Sequence, residues 1–231
     1  MIIVLNNKSN LNKDQFENYQ ERLKTISTNH NIILCPSSCF LPLVKLDNIQ
    51  LGSQDCSREN EGAHTGEIAA SQLRSLNIKY CIVGHSERRI EKKETKQDIL
   101  EKIKKLLENN ITPIYCIGET IDQKNNNQTN KIIEESLKYI IENIDNNYLE
   151  KIIIAYKPIW AVGTGAIPKK NELENIIKRV KELCPKNIVL YGGSINETNI
   201  DIIKEIKQID GYLIGGLSLK VDILKKIINK I

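Results

Sequence analysis

No apolar run in this 231-residue chain approaches the ~20 residues a membrane-spanning helix needs. Lys8 and Lys13 break the N-terminal stretch before the apolar core of an export signal could form. A membrane partner is therefore not expected, and the reading is of a cytoplasmic protein. Six cysteines (Cys35, Cys39, Cys56, Cys81, Cys116 and Cys184) lack the paired spacing of metal ligands and read as reduced thiols. Charge of one sign is missing too. Thirty-three basic side chains stand against 29 acidic ones, a net +4 spread along the chain, which leaves no basic stripe for nucleic acid. Low complexity is confined to Gln123–Asn130, which reads as a solvated polar loop before a helix.

What is present suffices for a single core. Hydrophobic residues make up 40% and charged residues 27%, which argues against disorder. A length of about 230 residues fits one α/β barrel, and no linker divides residues 1–231. Short β-branched or apolar runs recur through the chain: Ile2–Leu5, Ile32–Cys35, Ile49–Ser53, Tyr80–Val83, Ile111–Cys116, Ile152–Tyr156, Ile188–Tyr191 and Gly211–Ile214. Most are apolar on both faces, as buried parallel strands are. Between them, apolar residues fall at helical spacing: Ile99, Ile103, Leu106 and Leu107; Ile132, Ile133, Leu137, Ile140 and Ile141; Ile176, Ile177 and Val180; Leu224, Ile227 and Ile228. Strict strand–helix alternation predicts a parallel sheet. Eight units favour a single closed (β/α)8 TIM barrel over an open, doubly wound sheet.

Such a barrel carries its site at the C-terminal ends of the strands. Polar residues lie there. Asn6, Asn7 and Lys8 follow the first strand, and Gly84-His85-Ser86-Glu87-Arg88 the fourth. Lys157-Pro158-Ile159-Trp160 follows the sixth and leads to Gly163. Gly192-Gly193-Ser194 follows the seventh, and Gly215-Gly216 the eighth. Glycine lets backbone N–H groups approach an anion closely, and a following helix N-terminus would add its positive end. Either glycine pair alone reads as a tight turn; two at adjacent strand ends read as a phosphate cradle.

Several segments together resemble the triosephosphate isomerase family. They are Tyr80-Cys81-Ile82-Val83-Gly84-His85-Ser86-Glu87-Arg88-Arg89, Ala155-Tyr156-Lys157-Pro158-Ile159-Trp160-Ala161-Val162-Gly163-Thr164-Gly165 and Tyr191-Gly192-Gly193-Ser194. Gly62-Ala63-His64-Thr65-Gly66-Glu67, Cys116-Ile117-Gly118-Glu119 and Gly215-Gly216 belong to the same set, in the family's order along nearly the whole chain. The resemblance implies interconversion of dihydroxyacetone phosphate and glyceraldehyde 3-phosphate through an enediolate, a step of glycolysis and gluconeogenesis, with no metal and no organic cofactor. His85 would be the neutral imidazole that polarises the substrate carbonyl, its pKa lowered by a helix N-terminus. Lys8 would offset charge developing on the enediolate, Asn6 would donate a hydrogen bond in the same pocket, and Glu87 would support Lys8. Gly163, Ser194, Gly215 and Gly216 would hold the phosphate. A loop opening on Pro158-Ile159-Trp160 would close over it and exclude water. By the same resemblance Gly62–Glu67 reaches into a second subunit, with Thr65 completing the partner's site, so a homodimer is expected. Departures from the family pattern include Asn7 and Ser9 beside Lys8, Asp55 after Gln54, His64, and a shortened far hinge at Ala166-Ile167-Pro168.

The largest departure is at the base. Where the family has a glutamate before the loop proline, this chain has Lys157. A carboxylate accepts a carbon-bound proton and an ammonium does not; with an ordinary pKa of ~10.4, almost no lysine is free amine at neutral pH. Four readings stand open. Burial and Lys8 can lower the Lys157 pKa until the amine serves as base. The chain can bind triose phosphates while isomerising them weakly or not at all. The lysine, one base change from glutamate, can be an introduced change in an active enzyme. Or Lys157 can form a Schiff base with a ketone phosphate.

Overall fold

The isoleucine- and valine-rich runs pair in the order in which they occur. In a computed structural model, which describes residues 1–161 and 163–231, they are β1 (Ile2–Asn6), β2 (Asn31–Cys35), β3 (Gln50–Ser53), β4 (Tyr80–Val83), β5 (Thr112–Ile117), β6 (Ile153–Tyr156), β7 (Val189–Tyr191) and β8 (Gly211–Ile214). Each strand is parallel to the next, and β8 pairs with β1 through Ile2↔Gly211 to Leu5↔Ile214, which closes the barrel. Val162, quoted above, lies outside the described residues.

Closure explains why the strands are apolar on both faces. Val4, Ile33, Ile82, Ile114, Ala155 and Leu213 fill the barrel interior. Ile3, Leu5, Val83 and Ile154 point the other way, into the layer shared with the helices. Gly211 shows how tight the seam is. A Cβ there would lie 1.9 Å from the Ile2 carbonyl oxygen, so a side chain would force β8 off β1.

The helical stripes are buried as their spacing predicts. In the helix Lys96–Glu108, Ile99, Ile103, Leu106 and Leu107 pack inward, and Thr95 caps its first turn by accepting from the Asp98 N–H. In Thr129–Ile141, Ile133, Leu137 and Ile140 are buried, while Ile132 and Ile141 sit at the edge of the stripe, half-buried. Ile176, Ile177 and Val180 are buried in Lys170–Leu183, as are Leu224, Ile227 and Ile228 in Val221–Ile228. At ~1.5–3 kcal/mol for each fully buried aliphatic side chain, these faces hold the helices down. Among the described residues no helix is long and apolar enough to cross a membrane.

One segment departs from the sequence expectation. Gln123–Asn130 is not a plain loop: residues Ile121–Asn125 form a short helix and the next begins at Thr129. Thr120 caps the first by accepting from the Gln123 N–H, while the Gln123 side chain accepts from the Thr120 N–H. That reciprocal cap stabilises a helical turn that polar composition alone does not reveal.

Candidate active site

The strand ends converge on a cavity of about 330 Å3 at the C-terminal mouth of the barrel. Lys8, Lys157, Gly163, Ser194, Gly215 and Gly216 all line it, drawn from the segments after β1, β6, β7 and β8. Asn6, His85 and Glu87 are not in its lining and are tied to it through Lys8.

Lys8 is held by its backbone as much as by its charge. It adopts φ 54°, a left-handed conformation uncommon outside glycine. Its N–H donates to Asn6 Oδ1 at 3.0 Å, and its carbonyl accepts from Ser37 Oγ and Gln54 Nε2, each at 2.9 Å. With the main chain fixed, Nζ reaches Glu87 Oε1 at 2.5 Å. Behind this turn, the buried Asn7 donates to Ser218 Oγ at 3.1 Å and to Tyr19 Oη at 3.2 Å, which ties the segment after β1 to the one after β8. Nothing local in the sequence marks Ser37, Gln54 or Ser218 for these roles; they come from distant segments.

His85 caps the helix Ser86–Glu91, and its Nδ1 accepts from the Glu87 N–H at 3.3 Å. An accepting Nδ1 places the proton of the neutral ring on Nε2, which is buried and has no protein partner among the described residues. Burial first, and then the charges of Lys157 and Lys8, lower the His85 pKa to about 3; Glu87 opposes the shift. The ring is therefore neutral at physiological pH. Burial works against charge on Glu87, but the hydrogen bond and charge of Lys8, with His85 and Lys157, outweigh it and hold the carboxyl below its ordinary value.

Lys157 is only 4% exposed. Its main chain is clamped between neighbouring strand ends: its N–H donates to the Ile117 carbonyl at 2.7 Å, and a Cβ on Gly118 would lie 2.0 Å from its carbonyl oxygen. Glycine at 118 is what allows that approach. The side chain turns inward, and Nζ donates to the Gly192 carbonyl at 2.9 Å. Among the described residues no carboxylate lies within ion-pair distance of it. Burial, and also Lys8, lower its pKa from the ordinary lysine value against the opposing influence of Cys116 and Glu87.

The far wall is built from backbone. The N–H groups of Gly193, Ser194 and Gly216 have no hydrogen-bond acceptor among the described residues, and free N–H groups on a cavity wall suit an anion. The expected α-helix N-terminus opens directly at neither glycine pair. Gly216 opens a short 3-10 turn, Gly216–Leu219, whereas after β7 the next helix begins only at Ile200. The intervening turn is held by Asn196, which accepts from the Thr198 and Asn199 N–H groups, and by Asn199, which donates to the Ser194 carbonyl.

One further residue, Glu119, organises the sixth strand end. Glu119 is fully buried and accepts from Trp160 Nε1 at 2.8 Å and from Tyr156 Oη at 3.2 Å, so it anchors the start of the Gly163 segment. The sequence shows Glu119 inside a resembling block but does not disclose this contact. Gly62–Glu67 is exposed throughout, with Ser57 N–H donating to the Ile68 carbonyl at its base. Asp55 pairs with Lys102 at 2.7 Å and with Arg88 at 2.7 Å.

Fold and cavity define an α/β barrel whose strand ends enclose a pocket lined by Lys8, Lys157 and the glycine-rich turns after β7 and β8. The chain belongs to the triosephosphate isomerase family, whose model, described as "Triosephosphate isomerase", matches residues 1–231. It is 37% identical to the triosephosphate isomerase of Clostridium beijerinckii, over 94% of each chain. It is 41% identical to that of Mesomycoplasma hyorhinis over 78% of this chain and 74% of the relative, and 40% identical to that of Mycoplasmopsis pulmonis over 78% and 72%.

Proposed function

We propose that this protein binds triose phosphates in the strand-end cavity and interconverts dihydroxyacetone phosphate and glyceraldehyde 3-phosphate, with turnover limited by Lys157. The observation that carries this reading is the shared cavity: Lys8 and Lys157 line it together with Gly163, Ser194, Gly215 and Gly216. The phosphate is assigned to the backbone N–H groups of Gly193, Ser194 and Gly216. The ammonium of Lys8 and the Nε2–H of neutral His85 are assigned to the oxygens that gain charge as the enediolate forms, with Asn6 and Glu87 holding Lys8 in place.

Lys157 is assigned to the carbon-bound proton, and only its neutral amine can take it. Burial favours that form, whereas a bound phosphate dianion favours the ammonium. The amine is thus a minority base whose share grows with pH. The second reading is a protein that binds triose phosphates without turning them over; it is favoured by the hydrogen bond that turns Nζ toward Gly192. Six free cysteines support a reducing, cytoplasmic setting. The exposed Gly62–Glu67 loop is assigned to pairing with a second copy, with Thr65 directed to the partner's site.

Steady-state isomerisation of glyceraldehyde 3-phosphate, compared between the parent and Lys157→Glu, tests the reading. The variant is expected to exceed the parent by ~10²–10⁴-fold, the usual contribution of a general base. Parent activity should rise with pH above neutrality if the amine acts. A silent parent with a recovered variant identifies the non-catalytic binder, and failure of both overturns the assignment of the site.

A further inference from the structure

Lys157 has the setting of a nucleophile as well as that of a displaced base. Among the described residues its Nζ has a single partner, the carbonyl oxygen of Gly192 at 2.9 Å. A carbonyl accepts from an ammonium or from a neutral amine, and because it carries no full negative charge it holds the proton less firmly than a carboxylate does. When one N–H of the neutral amine is so engaged, its lone pair stays available. Lys8, which lines the same cavity, differs in this respect: Glu87 pairs with it at 2.5 Å. The same cavity supplies the unpartnered N–H groups on which an anion can seat. A compound with a phosphate and a carbonyl on a short carbon chain thus enters a space of about 330 Å3 that holds one cradle for the phosphate and one amine without a carboxylate.

We propose that Lys157 reversibly captures the carbonyl of small phosphorylated ketones and aldehydes as a Schiff base. The inference rests on the triose phosphate reading of the cavity. In the capture, the Nζ lone pair attacks the carbonyl carbon, a C–N bond forms, and the C=O π pair moves to oxygen. A proton passes from nitrogen to that oxygen to give a carbinolamine. The hydroxyl then leaves as water with the second nitrogen-bound hydrogen, and C=N remains. No oxidant or reductant enters. Burial and the nearby Lys8 charge support the step, because both favour the amine.

The test is reductive trapping on the intact protein. The parent is incubated with dihydroxyacetone phosphate and borohydride and then mapped by peptide mass. Dihydroxyacetone serves as the probe without phosphate, and Lys157→Met and Lys157→Gln serve as variants. Binding of glycerol 3-phosphate, which has the phosphate and no carbonyl, is measured separately by thermal shift. The adduct is expected predominantly on Lys157, above any other lysine. It is expected to fall with dihydroxyacetone and to be lost from whichever variant folds. No adduct on Lys157, or labelling spread over surface lysines, while glycerol 3-phosphate still binds overturns the capture and leaves the triose phosphate reading standing. Absence of both the adduct and glycerol 3-phosphate binding overturns both. Because mapping of the parent alone places the adduct, the outcome does not depend on a variant folding.

Discussion

Two lysines of this barrel are buried to nearly the same depth, yet their pKa values are shifted in opposite directions. Lys102, 5% exposed, lies beneath the Gly62–Glu67 loop with Asp55 at 2.7 and 2.8 Å and with Glu94 against the same Nζ. Arg88 adds a second cation on Asp55. Burial pulls the Lys102 pKa down, but Asp55 and Glu94 reverse it, and the outcome is a raised value. Lys157, 4% exposed, meets one peptide carbonyl and a nearby cation, and its pKa is lowered. Depth alone therefore does not set the charge of a buried amine; the partner within hydrogen-bond reach decides it. One region ties its lysine to two carboxylates, and the other leaves its lysine without one among the described residues.

The contrast breaks most readily at Lys102. Lys102→Met leaves Asp55 with Arg88 and leaves the Glu94 carboxylate without an ion-pair partner among the described residues, and is expected to cost about 3–5 kcal/mol in urea unfolding. A loss below about 1 kcal/mol would show that the cluster carries little of the stability.

A second, intermediate effect comes from His85. Its folded pKa of about 3 lies below the unfolded value of ~6.5, so between the two the unfolded chain binds the extra proton. Stability from this group is full above pH ~6.5 and declines as pH falls toward 3, by about 1.4 kcal/mol per pH unit at most. His85→Gln should flatten that limb of the unfolding curve. Lys157→Met, which removes a charge that depresses the ring, should move the His85 titration upward in NMR. An unchanged titration would separate the two side chains electrostatically.

The smallest expected effect sharpens the comparison. Lys157→Met removes an amine without a carboxylate partner, so stability should stay within about 1 kcal/mol of the parent or rise. Destabilisation matching that of Lys102→Met would mean that the Gly192 contact is structural.

Much of this was legible in the sequence. β4 and β8 span the residues that their apolar runs mark, and the other strands shift by one residue at one or both ends. The helices follow stripes such as Ile99, Ile103 and Leu106 because burial of one face is a local, periodic requirement. Lys8, Lys157, Gly163, Ser194, Gly215 and Gly216, among the residues that line the cavity, were readable from their place after apolar runs and from the family blocks. The capped turn at Ile121–Asn125 was hidden, because a cap depends on hydrogen-bond geometry and not on polarity.

The residues thus determined by themselves that eight strand–helix units alternate, that glycine pairs end β7 and β8, and that a lysine stands before Pro158. Only the tertiary structure decided what that lysine meets. Gly192 opposite Lys157, Asp55 opposite Lys102, and Gln54 and Ser37 behind Lys8 are partners brought in from other strands. Periodicity reports which face of an element is buried, whereas protonation depends on the few atoms within about 4 Å of a buried group, and barrel closure is what brings those atoms together.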